Sequence, residues 1–195
     1  MSYYFTSNNG KEPNRKKIRF RFLANMETFI SDDGVFSKDT LDFGSRVLLE
    51  YLVKEPLKGK VLDLGCGIGY IGILLKKYIP EIELTMVDVN ETAVQLAKEN
   101  SELYGQKNIV AVSDGLASID GTFNVIVTNP PIRTGKANIY RLFNDAFSRL
   151  EENGVMYIVI RKQQGAESAL KYLETLGTTE VLDKVKGYWI LSVKK

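Results

Sequence analysis

Lys60-Val61-Leu62-Asp63-Leu64-Gly65-Cys66-Gly67-Ile68-Gly69-Tyr70-Ile71-Gly72 is a short apolar run, an acid, a glycine-rich turn and the start of a second apolar run. Lys60 to Leu64 reads as a buried strand. Glycines at 65, 67 and 69 permit positive φ and let the backbone approach a ligand closely. The residues after them keep helical spacing to Tyr78 and stop before Pro80. Strand, tight turn and helix in that order form one unit of a parallel α/β sheet.

The same alternation continues downstream. Glu83–Asp88 reads as a strand, and Asn90 as the cap of a helix that buries Ala93, Leu96, Ala97 and Leu103 and ends at Gly105. Ile109–Val112 is a strand ending at Ser113-Asp114-Gly115, and Phe123–Val127 a strand running into Thr128-Asn129-Pro130-Pro131-Ile132-Arg133. Ile139, Leu142, Phe143, Ala146, Phe147 and Leu150 share one helical face, and Asn153-Gly154 is expected to end that helix. Val155–Ile160 is the next strand, and a helix covers about 166–176. Two final strands meet at Lys186-Gly187 as an antiparallel hairpin.

Upstream, residues 39–53 read as a helix with Val47, Leu48, Tyr51 and Leu52 on one face. Phe29–Phe36 reads as a strand with a turn at Asp33-Gly34. The expected architecture is an α/β doubly wound, mostly parallel sheet with antiparallel strands at its C-terminal edge. A basic N-terminal β extension, residues 1–36, packs on the domain formed by 37–195.

Bulk properties narrow the function. The chain of 195 residues suits one domain, and its 44% hydrophobic and 26% charged content is ordinary for a soluble protein. No apolar run reaches membrane-spanning length, and the N-terminus lacks the pattern of a secretory signal. Cys66 is the only cysteine, which excludes an internal disulfide and fits a reducing cytoplasm. The absence of histidine excludes histidine bases, histidine-containing triads and nearly all zinc sites. The expectation is a cytoplasmic protein with no membrane partner and no metal.

Charge is unevenly placed. Lys11, Arg15, Lys16, Lys17, Arg19 and Arg21 against Glu12 and Glu27 give the first 30 residues a net +4, leaving −2 for the rest of a +2 chain. Lys17, Arg19 and Arg21 alternate with Ile18, Phe20 and Phe22, the pattern of a half-buried strand with a cationic outer face. Two readings stand: a face that tracks phosphates, or an edge strand charged against association.

Ligands of open α/β sheets bind beyond the carboxyl ends of the strands. Asp63 with Gly65, Asp88, Asp114 and Asn129-Pro130-Pro131 all fall at such ends. Asp88 lies 23 residues past Gly65, the place of an acid that accepts from ribose hydroxyls. Its alternative is a carboxylate favoured by a helix N-terminus. Asp114 would accept from an adenine amino group, or is simply a turn residue before Gly115. At Asn129-Pro130-Pro131 neither proline offers an N–H and both fix φ. The Asn129 amide oxygen and the Pro130 carbonyl are then two fixed acceptors, which suit a planar NH2 group.

Gly67-Ile68-Gly69-Tyr70-Ile71-Gly72 also matches the dinucleotide pattern GxGxxG. An acid and an extra glycine precede the match, Asn-Pro-Pro has no role in hydride transfer, and no second domain is evident. These features count against a dehydrogenase.

Together, Asp63-x-Gly65-x-Gly67-x-Gly69, Asp88, Asp114 and Asn129-Pro130-Pro131 resemble the class I S-adenosylmethionine-dependent N-methyltransferases. Gly34-Val35-Phe36-Ser37-Lys38-x-x-Leu41-Asp42-x-Gly44 and Asn129-Pro130-Pro131-Ile132-Arg133 narrow the likeness to the ribosomal small-subunit RNA guanine-N2 methyltransferases of the RsmC type, over residues 16–195. The resemblance implies a Rossmann-like seven-stranded sheet and S-adenosylmethionine as cofactor. It places Gly65, Gly67 and Gly69, with Cys66, under the methionine part and Asp63 near its amino group. Asp88 and Val89 would hold the ribose, and Asp114 and Gly115 the adenine. Ser45, with Gly44, would close the pocket from the N-terminal side. Asn129 and Pro130, followed by Pro131, would grip the target nitrogen. Phe36, Lys38, Ile132, Arg133, Lys136, Arg19 and Arg21 would contact RNA.

Two departures from the family matter. An aromatic residue often follows Asn-Pro-Pro, and here Ile132 offers no π-face, so stacking must come from elsewhere, with Phe36 one source. Larger members carry an extra N-terminal domain for which this chain has no room. Ribosomal RNA or the small subunit would then be positioned by the basic strand, by Arg133 and Lys136, or by a second subunit in a homodimer. The competing functions are protein glutamine-N5 methylation, DNA adenine-N6 methylation, and a non-catalytic RNA-binding module with a relict cofactor fold.

Overall fold

In the computed structural model, which describes residues 14–35 and 37–195, the alternating basic segment forms β1 (Lys16–Phe22). Leu23-Ala24 turns it into antiparallel β2 (Asn25–Ser31), which starts earlier than the expected Phe29 because Ile18 pairs with Phe29 and Phe22 with Asn25. Asp33-Gly34 does turn the chain, with the Gly34 N–H donating to Asp32 Oδ1 at 3.0 Å. Ile18, Phe20, Phe22 and Phe29 point inward, and the Phe20 and Phe29 rings lie 5.4 and 4.8 Å from that of Tyr70. Lys17, Arg19 and Arg21 stay exposed.

Helix α1 (Phe43–Leu52) begins later than residue 39 because Asp42 is extended and caps it, accepting from the Ser45 N–H at 3.0 Å. Strand β3 (Lys60–Leu64), helix α2 (Tyr70–Tyr78), strand β4 (Glu83–Asp88) and helix α3 (Glu91–Leu103) follow as expected. Asn90 caps α3 through the N–H groups of Thr92 and Ala93. Leu103 is a correction: it is 47% exposed, because Asn100 and Ser101 take the inward positions of the last turn. Asn100 is fully buried and satisfied. It accepts from Ile30 N–H at 2.6 Å and donates to the carbonyls of Ile30 and Ile68, both at 3.0 Å. One side chain thus ties β2 to the glycine turn.

Strand β5 (Ile109–Val112), strand β6 (Phe123–Thr128) and helix α4 (Lys136–Ser148) complete the middle of the chain. Leu150 is not the end of α4. It opens β7 (Leu150–Arg161) opposite Phe123, and Asn153-Gly154 lies inside that strand, with Asn153 at φ 65°. Helix α5 (Ala166–Leu173) is shorter than expected. Strands β8 (Thr178–Val185) and β9 (Tyr188–Lys194) form the hairpin. Its two turn residues, Lys186 and Gly187, have φ of 46° and 83°, the positive pair that a tight hairpin turn requires.

The seven strands run in the order β5-β4-β3-β6-β7-β9-β8, all parallel except β9, which is antiparallel to both neighbours. Helices α1, α2 and α3, with the β1–β2 hairpin, cover one face, and α4 and α5 cover the other. This is the Rossmann-like seven-stranded sheet the resemblance implied. No helix of the described residues is long and apolar enough to cross a membrane.

Candidate active site

The chain order of the sheet reverses between β3 and β6, and a cavity of about 280 Å³ opens at the carboxyl ends of the strands there. The glycine turn supplies Gly65 and Gly67 to its wall, and the end of β4 supplies Asp88 with Val89 just beyond it. Asp114 and Gly115 come from the end of β5, and Asn129, Pro130 and Pro131 from the end of β6. Thr128 ties the end of β6 to the glycine turn: it is fully buried, and its hydroxyl donates to the Leu64 carbonyl at 2.8 Å.

The glycines divide into two sets. Gly65 and Gly67 have φ of 75° and 55°, and a Cβ on either would meet no atom within 4 Å. They leave a smooth backbone cradle that any side chain would fill. Gly69 instead caps α2 at φ 91°, where a Cβ would come 2.6 Å from Ile73 Cδ1. A Cβ on Gly72 would lie 2.9 Å from Met86 Sδ. Gly69 and Gly72 therefore serve helix–sheet packing. Cys66 is buried beside the cradle, with its thiol donating to the Gly67 carbonyl at 3.4 Å, and burial pushes its pKa up.

The three acids differ in surroundings. Asp88 accepts from Gly67 N–H at 2.8 Å on Oδ2 and from Asn90 N–H at 2.9 Å on Oδ1, so each oxygen keeps a lone pair for a ligand. Burial raises its pKa despite those bonds. Asp63 is 1% exposed and lies behind the cradle rather than in the cavity wall. Its Oδ2 accepts from Gly72 N–H at 2.8 Å, whereas Oδ1 is buried without a hydrogen-bond partner. Burial first, and then the charge of Asp88, push its pKa up to about 7. Asp114 is exposed and pairs with Arg141 of α4 at 3.1 Å.

Asn129 carries the most informative geometry. Its Nδ2 donates to Asp42 Oδ1 at 3.1 Å and to Ser45 Oγ at 3.0 Å. A carboxylate can only accept, so the amide nitrogen must face Asp42 and the Oδ1 must face the other way. Ser45 is thus a partner of Asn129 and not part of the cavity wall. Pro131, at φ −74° and ψ 77°, closes an inverse γ-turn in which Ile132 N–H donates to the Pro130 carbonyl at 2.9 Å. That carbonyl is therefore half used. Its second lone pair is left free.

The outer positions scatter. Ile132 packs into the core cluster of α4 and α5, and Arg133 is exposed in the 3-10 turn after Pro131. Lys136 lies over the Tyr140 ring at 5.2 Å. Lys38 pairs with Asp33 at 3.1 Å. Phe36 lies outside the described residues. β1 descends along α2, from Phe20 on Tyr70 at its first turn to Phe22 on Tyr78 at its last, so Arg19 and Arg21 lead away from the cavity. Sequence reasoning missed Asp42 as the partner of Asn129 and Arg141 as the partner of Asp114. Asp42 carried a signal, an acid three residues before Ser45 at a helix start. Arg141 carried none.

Comparison with known proteins identifies the family. The family model described as methyltransferase small domain matches residues 26–192. The YbxB protein of Bacillus subtilis is 40% identical over 197 residues, covering 99% of this chain and 98% of its own. Ribosomal RNA small subunit methyltransferase C of Haemophilus influenzae is 35% identical over 187 residues, covering 92% of this chain and 54% of its own. The solved structure of the T. thermophilus 16S rRNA N2 G1207 methyltransferase (RsmC), in complex with AdoMet and guanosine, superposes with a TM-score of 0.83 at 28% identity. It covers 93% of this chain, which spans 50% of that protein. The chain spans about half the length of the RsmC relatives it matches. By its family match, its relatives and its sheet order, the chain belongs to the methyltransferase small domain family, class I S-adenosylmethionine-dependent methyltransferases of the RsmC type.

Proposed function

We propose that the protein methylates the exocyclic N2 of a guanine in small-subunit ribosomal RNA, with S-adenosylmethionine as donor. The observation that carries this reading is the fixed orientation of Asn129, whose free Oδ1 and the neighbouring Pro130 carbonyl form a paired acceptor for an NH2 group. The choice of guanine in ribosomal RNA rests on the likeness to RsmC. A cytoplasmic location goes with that substrate.

The residues present fit the cofactor. The cradle at Gly65 and Gly67 has room that a Cβ would fill, and Asp88 keeps two lone pairs toward the cavity. Asp88 would hold the ribose hydroxyls, Asp114 and Gly115 would border the adenine, and the buried Asp63 carboxyl would sit behind the methionine end. When bound, S-adenosylmethionine supplies an electrophilic methyl group on a sulfonium.

The rest of the chemistry is positional. The lone pair of guanine N2 is delocalised into the ring, so the nitrogen is a weak nucleophile. Donation of its two hydrogens to Asn129 Oδ1 and the Pro130 carbonyl aims that lone pair and disfavours the planar form. Asn129 takes no proton. The methylated nitrogen is acidic enough to release its proton to water, and the lack of histidine is no obstacle.

The test is incubation with labelled S-adenosylmethionine and, separately, small ribosomal subunits, naked 16S RNA, DNA and protein, followed by digestion. Label in N2-methylguanosine is expected. Label in glutamine or N6-methyladenine overturns the reading, and cofactor binding with no labelled product points to a relict module. Asn129→Ala should lower turnover roughly 10²-fold, as loss of one preorganised partner does, while calorimetry shows cofactor binding intact.

A further inference from the structure

We infer that the edge built by Phe43, Tyr188, Arg161 and Lys186 seats a single-stranded RNA segment flanking the target nucleotide. The inference rests on the function proposed above and adds where the polymer lies.

Among the described residues the cavity wall contains no aromatic side chain, and Ile132 is partly buried against the cluster of α4 and α5, so base stacking is sought beside the cavity. Register points to the neighbouring strands. Thr128 pairs with Ile158, which puts Asn129 level with Val159, and β7 continues two residues further to Arg161. Arg161 pairs with Tyr188 at the start of β9. Two residues of strand rise about 7 Å. The end of β7 and the hairpin tip therefore form a wall beside the acceptors. The Lys162 N–H donates to the Gly187 carbonyl at 2.7 Å and holds the tip to that wall.

The wall carries aromatic faces and cations together. Phe43 directly follows Asp42, the partner of Asn129, and its ring centroid lies 5.5 Å from that of Tyr188 at 60°. The Arg161 guanidinium carbon lies 5.8 Å from the Tyr188 centroid, and Lys186 Nζ 5.5 Å from the Phe43 centroid. Gly44 lets the Tyr188 ring lie against α1, since a Cβ there would come 2.9 Å from Tyr188 Cε1. Arg161, Lys162, Lys184 and Lys186 are exposed. Among the described residues the one carboxylate in salt-bridge reach of these four is Glu167, 3.5 Å from Lys162, and both partners of that pair are mostly solvated. Asp183 lies on the same hairpin and accepts from the Lys184 backbone N–H at 2.7 Å. Half-buried rings flanked by unpaired cations are the platform that single-stranded nucleic acid uses, with stacking for bases and charge for phosphates.

Two contrasts favour this edge. In the basic N-terminal segment Lys16 pairs with Asp33 and Asp39 and Arg15 with Asp32 and Glu99, while Lys17, Arg19 and Arg21 are exposed on a strand that leads away from the cavity. Lys186, by contrast, holds φ 46°, a left-handed conformation that glycine or asparagine adopts more cheaply. A lysine there strains the turn, and its ammonium lies 5.5 Å from the Phe43 centroid.

The test compares the parent with Arg161→Gln/Lys186→Gly. Glycine relieves the turn, so the double variant should melt no lower than the parent and bind S-adenosylmethionine equally by calorimetry. Its affinity for a single-stranded RNA oligonucleotide, read by fluorescence anisotropy, should fall about tenfold or more. The slope of log affinity against log salt should shrink by about 1.4, from two lost phosphate contacts at about 0.7 each. Its KM for RNA should rise in step. Arg19→Gln/Arg21→Gln should change affinity less than about twofold. Equal RNA affinity and salt slope in parent and Arg161→Gln/Lys186→Gly would overturn the inference. A parent that labels glutamine or DNA instead of RNA overturns the proposed function, and the anisotropy comparison still decides this surface separately.

Discussion

Asp42→Ser isolates the link between Asp42 and Asn129. Serine remains a good helix N-cap, so α1 keeps its cap and the stability change is expected to be only a few tenths of a kcal/mol. The shorter side chain cannot reach Asn129 Nδ2, which in the parent lies 3.1 Å from Asp42 Oδ1. The amide then keeps only Ser45 Oγ, a hydroxyl that can accept or donate and therefore tolerates either orientation of Asn129. A hydrogen bond to a charged group is worth about 1.5–3 kcal/mol. At about 1.4 kcal/mol per decade that predicts a ten- to hundredfold fall in kcat. Asp42→Asn provides the control. The two groups at Asp42 Oδ1, Ser45 N–H and Asn129 Nδ2, are both donors, so an asparagine oxygen can take its place. Turnover in Asp42→Asn should fall less than in Asp42→Ser, by about tenfold at most, because the bond persists without the charge. The assay is single-turnover methyl transfer with saturating cofactor, with cofactor affinity and melting temperature measured alongside. Unchanged kcat in Asp42→Ser, or an equal loss in Asp42→Asn, would refute the reasoning.

The other expectations concern the glycine turn and the buried acid behind it. Gly67→Ala adds a methyl group to open cavity space at φ 55°, so calorimetry should show at least about tenfold weaker cofactor binding for roughly 1 kcal/mol of lost stability. Gly69→Ala should instead lose about 3 kcal/mol in urea unfolding, because its Cβ collides with Ile73 2.6 Å away at φ 91°. If Gly67→Ala lost stability but kept full cofactor affinity, the division of the glycines would be wrong. Asp63 has a pKa of about 7 in the folded chain, against 3.8 for a free side chain. The folded state therefore holds its proton longer, and stability should decline as pH rises from about 4 to 7, by about 4 kcal/mol at most. Unfolding midpoints across that range should be flatter in Asp63→Asn, and parallel profiles would exclude the effect.

Much of the fold was legible because its signals are local. Asp63 and Asn129 each end an apolar run, and Asn90 and Gly105 bracket a helix by capping chemistry that depends on adjacent residues. The errors came where two signals competed. Leu150 fits the helical spacing of α4, yet pairing with Phe123 recruits it into β7. Leu103 fits the apolar face of α3, yet Asn100 holds the inward position because it satisfies two backbone groups of β2 and one of the glycine turn.

The sequence by itself determined the α/β class and the strand ends that meet at the cavity, because periodicity and proline stereochemistry act within a few residues. Tertiary structure alone decided three things. It oriented the Asn129 amide through Asp42, a partner 87 residues away in the chain. It separated the cradle glycines, 65 and 67, from the packing glycines, 69 and 72, by what stands beside each backbone. It also engaged Arg15 and Lys16 in ion pairs while placing Arg161 and Lys186 with aromatic rings at the end of β7. Each depends on which distant side chains the sheet order brings into contact, and local spacing carries no record of that.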